Sequence, residues 1–185
     1  MRADAAVNRE AIIGAAIELL ADVGLSVSTR QVAAAAGVGI GTLYRHFPTR
    51  TDLLHGVGTC LRERVDALAA RFDERATEDI EAAWLAFGHE FVGLRLGRLI
   101  AQAAAFPDFF LDDAAVVERR AEAAGAIAAR LDVAKRAGLV REDVDALHFA
   151  LGASQISRPL GAAVDGLVPG WNEWLVDVYL RGLRP

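Results

Sequence analysis

Residues 28–47 read STRQVAAAAGVGIGTLYRHF, and how this stretch folds decides the rest of the chain. Ser28 followed by Gln31 is an S-x-x-Q capping box, so a helix is predicted to begin at Thr29. Val32, Ala33 and Ala36 give that helix an inward face. Gly37 supplies the positive φ that stops it, Val38 buries in the turn, and Gly39 stands where the next helix is capped. That next helix, about Ile40 to His46, has only Leu43 and Phe47 to anchor it inward. It contains Gly41, which costs a helix roughly 1 kcal/mol relative to alanine, a choice that implies close approach to something. Thr42, Tyr44, Arg45 and His46 are left without obvious burial. Two short helices joined by a glycine turn, the second crowded with such residues, form the pattern of a helix-turn-helix that reads DNA.

Charge supports the same conclusion once its distribution is considered. The 185 residues carry a formal net charge of −5, which taken alone disfavours a nucleic-acid partner. Yet no Asp or Glu occurs from Val23 to Thr51, where Arg30, Arg45 and Arg50 are present with His46 beside them. A locally basic face on an acidic body docks on phosphates in one orientation. Composition excludes other classes. With 54% hydrophobic residues the chain folds rather than staying disordered. The segment MRADAAVNRE has no apolar leader and no run reaches the roughly 18 residues of a membrane span, so a cytoplasmic protein without a membrane partner is expected. The single cysteine, Cys60, makes no internal disulfide, and with four scattered histidines no metal site is expected.

Outward from the central stretch, helical period continues in both directions. Upstream, Asn8 is a candidate N-cap for a helix carrying Ile12, Ala16, Leu19, Leu20 and Val23 and closed by Gly24. Downstream, Thr49 with Asp52 at N3 starts one long helix of about six turns along Leu53, Leu54, Val57, Leu61, Val65, Leu68 and Phe72. No Pro, Gly or Ser linker separates the two halves, so the domain limit falls at this helix: residues 1–50 as the DNA-binding domain and 51–185 as a second helical domain. The second half is helical from Glu78, with a stripe of Ile80, Trp84, Phe87, Phe91 and Leu94, and again over about 95–105. A loop over 108–113 precedes an Ala-rich helix ending at Gly138. Asp143 opens another, interrupted near Pro159, and Asn172 caps the last. The fold class is all-α, with about nine helices: a three-helix N-terminal unit joined by a long helix to a second helical domain.

These residues resemble the TetR family of bacterial one-component transcriptional regulators. The resemblance rests on Ser28-Thr29-Arg30-Gln31-Val32-Ala33, Ala36-Gly37-Val38, Gly41-Thr42-Leu43-Tyr44-Arg45-His46-Phe47, then Arg50 and Leu53-Leu54, and covers roughly the first 55 residues. It implies that the helical second domain is a ligand-binding and dimerisation domain, that the protein is a homodimer on double-stranded DNA with a palindromic operator, and that repression is relieved by an unknown small-molecule effector. It further implies base contacts from Arg30, Gly41, Thr42 and Arg45, and phosphate contacts from Ser28, Thr29, Tyr44, His46 and Arg50. Elementary chemistry agrees: a guanidinium fits guanine O6 and N7, a Thr methyl meets a thymine methyl, and a Tyr hydroxyl suits a phosphate oxygen. Two departures stand out. The family's usual lysine is Arg50 here, and Gly39 has no side chain with which to cap.

The second half carries no motif. Trp84, Phe87, Phe91, Phe106, Phe109, Phe110 and Phe149 sit among helices rich in Ala and Gly, a mixture that leaves room for an apolar pocket. The expected lining is Trp84, Phe87, Phe91, Gln102, Phe106, Phe110, His148 and Gln155, with His89 a further polar candidate; plain core is the competing reading of the aromatic stripe. Leu160, Val164, Trp174, Leu175 and Val178 are the expected dimer face. No cofactor and no catalytic residue is assigned. Gly37-Val-Gly-Ile-Gly41 departs from G-x-G-x-x-G and lacks the preceding strand, and no nucleophile, base and orienting group can be assembled. A helical protein-interaction adaptor, or a DNA-binding module that does not repress, is the alternative function.

Overall fold

The computed structural model describes residues 2–102, 112–157 and 167–185, with side chains from residue 6 and excluding that of residue 102. Nine helices and no strand occur among the described residues: α1 (Arg2–Asp22), α2 (Thr29–Ala35), α3 (Ile40–His46), α4 (Arg50–Ala76), α5 (Ile80–Val92), α6 (Gly97–Gln102), α7 (Ala114–Arg136), α8 (Ala146–Ile156) and α9 (Trp171–Gly182). The all-α expectation holds. None of these helices is long and apolar enough to cross a membrane, and no cluster of three or more His, Cys, Asp or Glu suited to a metal occurs among the described residues.

The ends of α2, α3 and α4 fall where local chemistry places them. Ser28 accepts from Gln31 N at 3.3 Å while Gln31 Oε1 accepts from Ser28 N at 2.9 Å, the reciprocal pair of a capping box. Gly37, at φ +67°, turns the chain out of α2, and Val38 N reaches back to Ala33 O at 3.0 Å. At the start of α4, Thr49 N and Oγ1 both donate to Asp52 Oδ2, at 2.9 and 2.7 Å. The hydroxyl and amide of Thr49 hold the Asp52 carboxyl below its ordinary value.

Three other starts differ from expectation. Asn8 lies inside α1, because residues 2–7 contain nothing that breaks a helix. Asp145 rather than Asp143 caps α8, since Val144 is drawn into the core first. Gly170 at φ +77°, not Asn172, precedes α9.

Two apolar cores result. The first gathers Ile12, Ile13, Leu20, Leu25, Val32, Leu43, Phe47, Leu53 and Val57. It takes in the first two turns of α4, so side-chain packing crosses the limit placed at residue 50. The second holds Leu68, Phe72, Trp84, Phe87, Phe91, Leu131, Phe149 and Leu180. α4 joins them and, at 27 residues, is about 40 Å long, over a turn longer than its sequence period suggested.

Close approach of α5 and α9 depends on one glycine. A Cβ built on Gly88 would lie 2.6 Å from both Leu180 methyl carbons. Gly88→Val should therefore cost about 1–3 kcal/mol through overpacking, measured as a lower urea midpoint with an unchanged slope; an unchanged midpoint would mean that the two helices do not meet here.

Candidate nucleic-acid interface

α2 and α3 turn one polar, acid-free surface outward. Leu43 is fully buried and Phe47 nearly so, which fixes α3 by its inner side and leaves Gly41, Tyr44 and Arg45 exposed, with Thr42 and His46 half-exposed. Arg30 lies exposed on α2. Thr29 Oγ1 and Tyr44 Oη are 3.2 Å apart, so the start of α2 and the middle of α3 share a pair of hydroxyls held in one place. A Cβ at Gly41 would meet no atom within 4 Å. No internal packing requires glycine there, so its helix cost is offset by nothing inside the protein.

The acids that bracket the surface are both engaged. Asp22 pairs with Arg95 and Asp52 with Thr49. Arg95 itself has φ +56° and also binds Glu18 at 3.0 Å, tying the loop after α5 back to α1.

Two sequence assignments look different in three dimensions. Arg50 is turned inward: its Nη1 donates to Val27 O and its Nη2 to Leu25 O. It thus clamps the loop before α2, while its charge stays beside the start of α4. Ser28 Oγ is occupied by Gln31. One residue outside the motif joins the group: the Arg9 guanidinium carbon lies 5.3 Å from the centre of the Phe47 ring. Only the positive charge in α1 hinted at it.

In the second half, three of the eight residues expected to line a pocket are buried in the core. Trp84, Phe87 and Phe91 are 1%, 2% and 4% exposed. They pack around Phe149 with ring centres 5.4, 5.9 and 5.2 Å away. These three rings fill one another's space, as the competing reading of plain core expects. His148 is a surface residue paired with Asp145 at 3.0 Å, its side chain 71% exposed, and Gln155 is also exposed on α8. His89 binds Asp177 of α9 at 2.8 Å. Phe106, Phe109, Phe110 and the Gln102 side chain lie outside the described residues. A cleft of about 310 Å³ does occur between α4 and α5, lined by Arg64, Leu68, Arg71, Glu90 and Leu94. Burial works to raise the Glu90 carboxyl, but Arg75 and Arg71 outweigh it and hold the group below its ordinary value.

Apolar side chains are exposed on α8 and α9. Trp174 and Val178 of the expected dimer face are 56% and 45% exposed, Leu175 is half-buried, and Leu147 and Leu151 add to them from α8. Their i, i+4 spacing was a readable signal in the sequence. Leu160 and Val164 lie outside the described residues.

Comparison with known proteins places these features. Residues 12–57 match the family described as bacterial regulatory proteins, tetR family, and residues 79–185 match the C-terminal domain of SbtR-like transcriptional regulators. Among curated proteins, the HTH-type transcriptional repressor LfrR of Mycolicibacterium smegmatis is 40% identical over 66 residues, 36% of this chain and 34% of its own. An HTH-type transcriptional regulator of Staphylococcus aureus is 41% identical over 58 residues, 31% of each chain. The matched stretch thus spans about a third of the length of these relatives.

Solved structures align almost end to end. LfrR from Mycobacterium smegmatis in complex with proflavine has a TM-score of 0.71 at 27% identity, over 96% of this chain and 94% of that one. A TetR transcriptional regulator from Streptomyces coelicolor has a TM-score of 0.59 at 28% identity, over 96% and 98%. With both halves matched, the head by one family model and the body by another, the chain belongs to the TetR family and is a DNA-binding transcriptional regulator.

Proposed function

We propose that the protein is a repressor that binds a palindromic operator as a homodimer and leaves it when a small apolar or amphipathic molecule occupies the C-terminal domain. The observation that carries this reading is the open, acid-free surface of α2 and α3, with Gly41 unpacked and the Thr29 and Tyr44 hydroxyls 3.2 Å apart. Arg30, Thr42 and Arg45 reach base edges, and the missing side chain at Gly41 lets the backbone come close. Thr29, Tyr44 and His46 hold phosphates, with Ser28 and Arg50 contributing through the loop and cap they stabilise. The match to a curated repressor, and a solved relative in complex with proflavine, support repression and a small-molecule effector.

Two recognition helices must sit about 34–36 Å apart to enter successive major grooves. A ligand acts by favouring a tilt of α4 that breaks this spacing, and only through different affinity for the two states. The exposed face of α8 and α9 is the proposed dimer contact. Trp174→Glu or Leu147→Glu should weaken the dimer by roughly 30-fold or more, as loss of a buried aromatic or aliphatic anchor does, and should weaken operator binding in parallel. Light scattering on both variants tests this. A parent protein that is monomeric at micromolar concentration yet keeps full operator affinity would overturn the two-half-site reading.

A further inference from the structure

α4 carries five arginines, and four of them are engaged. Arg50 holds two carbonyls, Arg62 holds Asp66 and Glu122, and Arg71 and Arg75 hold Glu90. Arg64 makes no hydrogen bond or ion pair among the described residues. Its neighbours one helical turn away, Cys60, Leu61, Ala67 and Leu68, offer it no acid. This uncommitted guanidinium lies on the wall of the cleft between α4 and α5.

The cleft has the make-up of a small-molecule site. Its volume of about 310 Å³ falls in the range of about 300–1,000 Å³ usual for such sites. Its floor is apolar, with Leu68 and Leu94 buried and Ala67 beside them, and Gly93 adds no side chain to the opening. Glu90 is the one acid on its lining, and both of its oxygens are taken: Oε2 accepts from Arg71 at 2.5 and 2.8 Å, and Oε1 accepts from Arg75 at 2.7 Å. Three arginines against one glutamate leave excess positive charge over an apolar floor. A concave, partly apolar wall strengthens that field relative to open water. Cations are disfavoured there, and an uncharged molecule gains nothing from Arg64.

We propose that this cleft is the effector site and that it takes an amphipathic anion, with the apolar body on Leu68 and Leu94 and a carboxylate or phosphate head on Arg64. This rests on the reading that a small molecule controls the protein, and names where it binds and its chemistry. The position suits control. Leu94 also borders a small space lined by Ile17 and Leu20 of α1. The next residue, Arg95, is held to Glu18 and Asp22 of the same helix. A molecule seated between α4 and α5 therefore bears on the residues that tie the body to the DNA-binding unit.

The test titrates the full chain by calorimetry at constant ionic strength with octanoate and octyl phosphate. Octan-1-ol and octylammonium serve as uncharged and cationic counterparts, and inorganic phosphate as a head without a body. At least one amphipathic anion should bind roughly 10-fold more tightly than all three, the scale of one charge-assisted hydrogen bond, and should release operator DNA. Which of the two binds more tightly identifies the head. Arg64→Gln should remove that preference without changing the affinity for octan-1-ol, and Arg64→Lys should keep part of it. Ala67→Trp, which fills the cleft, should abolish binding of both anions. Arg64 and Ala67 are exposed, so these variants should melt with the parent. The site is overturned if neither anion binds at millimolar concentration, if octan-1-ol or inorganic phosphate binds as tightly, or if Arg64→Gln and Ala67→Trp both leave anion affinity unchanged. An anion that binds through Arg64 yet leaves operator bound overturns the cleft as the effector site. If proflavine releases operator from the parent and from Ala67→Trp alike while the anions are silent, this site fails and small-molecule control stands.

Discussion

Phe149→Ala is expected to unfold the C-terminal unit at moderate temperature. Phe149 is fully buried and its ring meets those of Trp84, Phe87, Phe91 and Tyr179, at centre distances of 5.2 to 6.2 Å. Removing the ring takes away its transfer free energy and leaves a cavity that the four surrounding rings, three fixed on α5 and one on α9, cannot close. Such truncations cost about 3–5 kcal/mol, a large fraction of the stability of a domain this size. The backbone carbonyl of Phe149 also accepts the Tyr179 hydroxyl at 2.9 Å, and burial pushes that hydroxyl up to about 12. Thermal melting followed by near-ultraviolet circular dichroism would report the loss directly. Phe149→Leu should recover more than half of the stability. Similar midpoints for the alanine variant and the parent would mean that the aromatic cluster is not the core.

The second large effect concerns DNA and separates two arginines that look alike in the motif. Arg45 is exposed on α3 and has no hydrogen bond or ion pair among the described residues, so Arg45→Ala should leave stability unchanged. It should cost about 1–3 kcal/mol of operator affinity and relax preference at one base position. Arg50 is different because its guanidinium clamps Val27 O and Leu25 O. Arg50→Met should destabilise the N-terminal unit by about 1–3 kcal/mol, the scale of charged hydrogen bonds to carbonyls. A direct phosphate contact would lower the salt slope of binding by about 0.9 when removed. The inward clamp predicts a smaller change once affinity is measured below the melting transition. Binding isotherms at several salt concentrations, with melting curves on the same preparations, distinguish the two roles. A full drop of 0.9 with no loss of stability would restore Arg50 to the phosphate backbone.

What was legible in the sequence follows from the range of the forces involved. The starts of α2, α3 and α4 are set within four residues, by Ser28 with Gln31, by Gly39, and by Thr49 with Asp52, and these lay open to reading. The exposure of Tyr44 and Arg45 was also readable, because Leu43 and Phe47 are the only large apolar anchors and sit four apart. Long-range choices were hidden. Whether Trp84, Phe87 and Phe91 line a space or fill it depends on Phe149 arriving from a helix some sixty residues away, and no local pattern encodes that. Arg50 is a basic residue at the right spacing in sequence, yet its direction is set by carbonyls more than twenty residues earlier.

One measurement bears on the central claim most directly: a footprint of the protein on the DNA upstream of its own gene, in excess random-sequence competitor at moderate salt. A protected, pseudo-palindromic region whose half-sites are one helical turn apart or a multiple of it, abolished by Arg45→Ala at protein concentrations that saturate the parent, is the predicted result. Protection that disappears with competitor, or that is the same for the parent and the Arg45 variant, would contradict the reading of α3 as the helix that recognises DNA sequence.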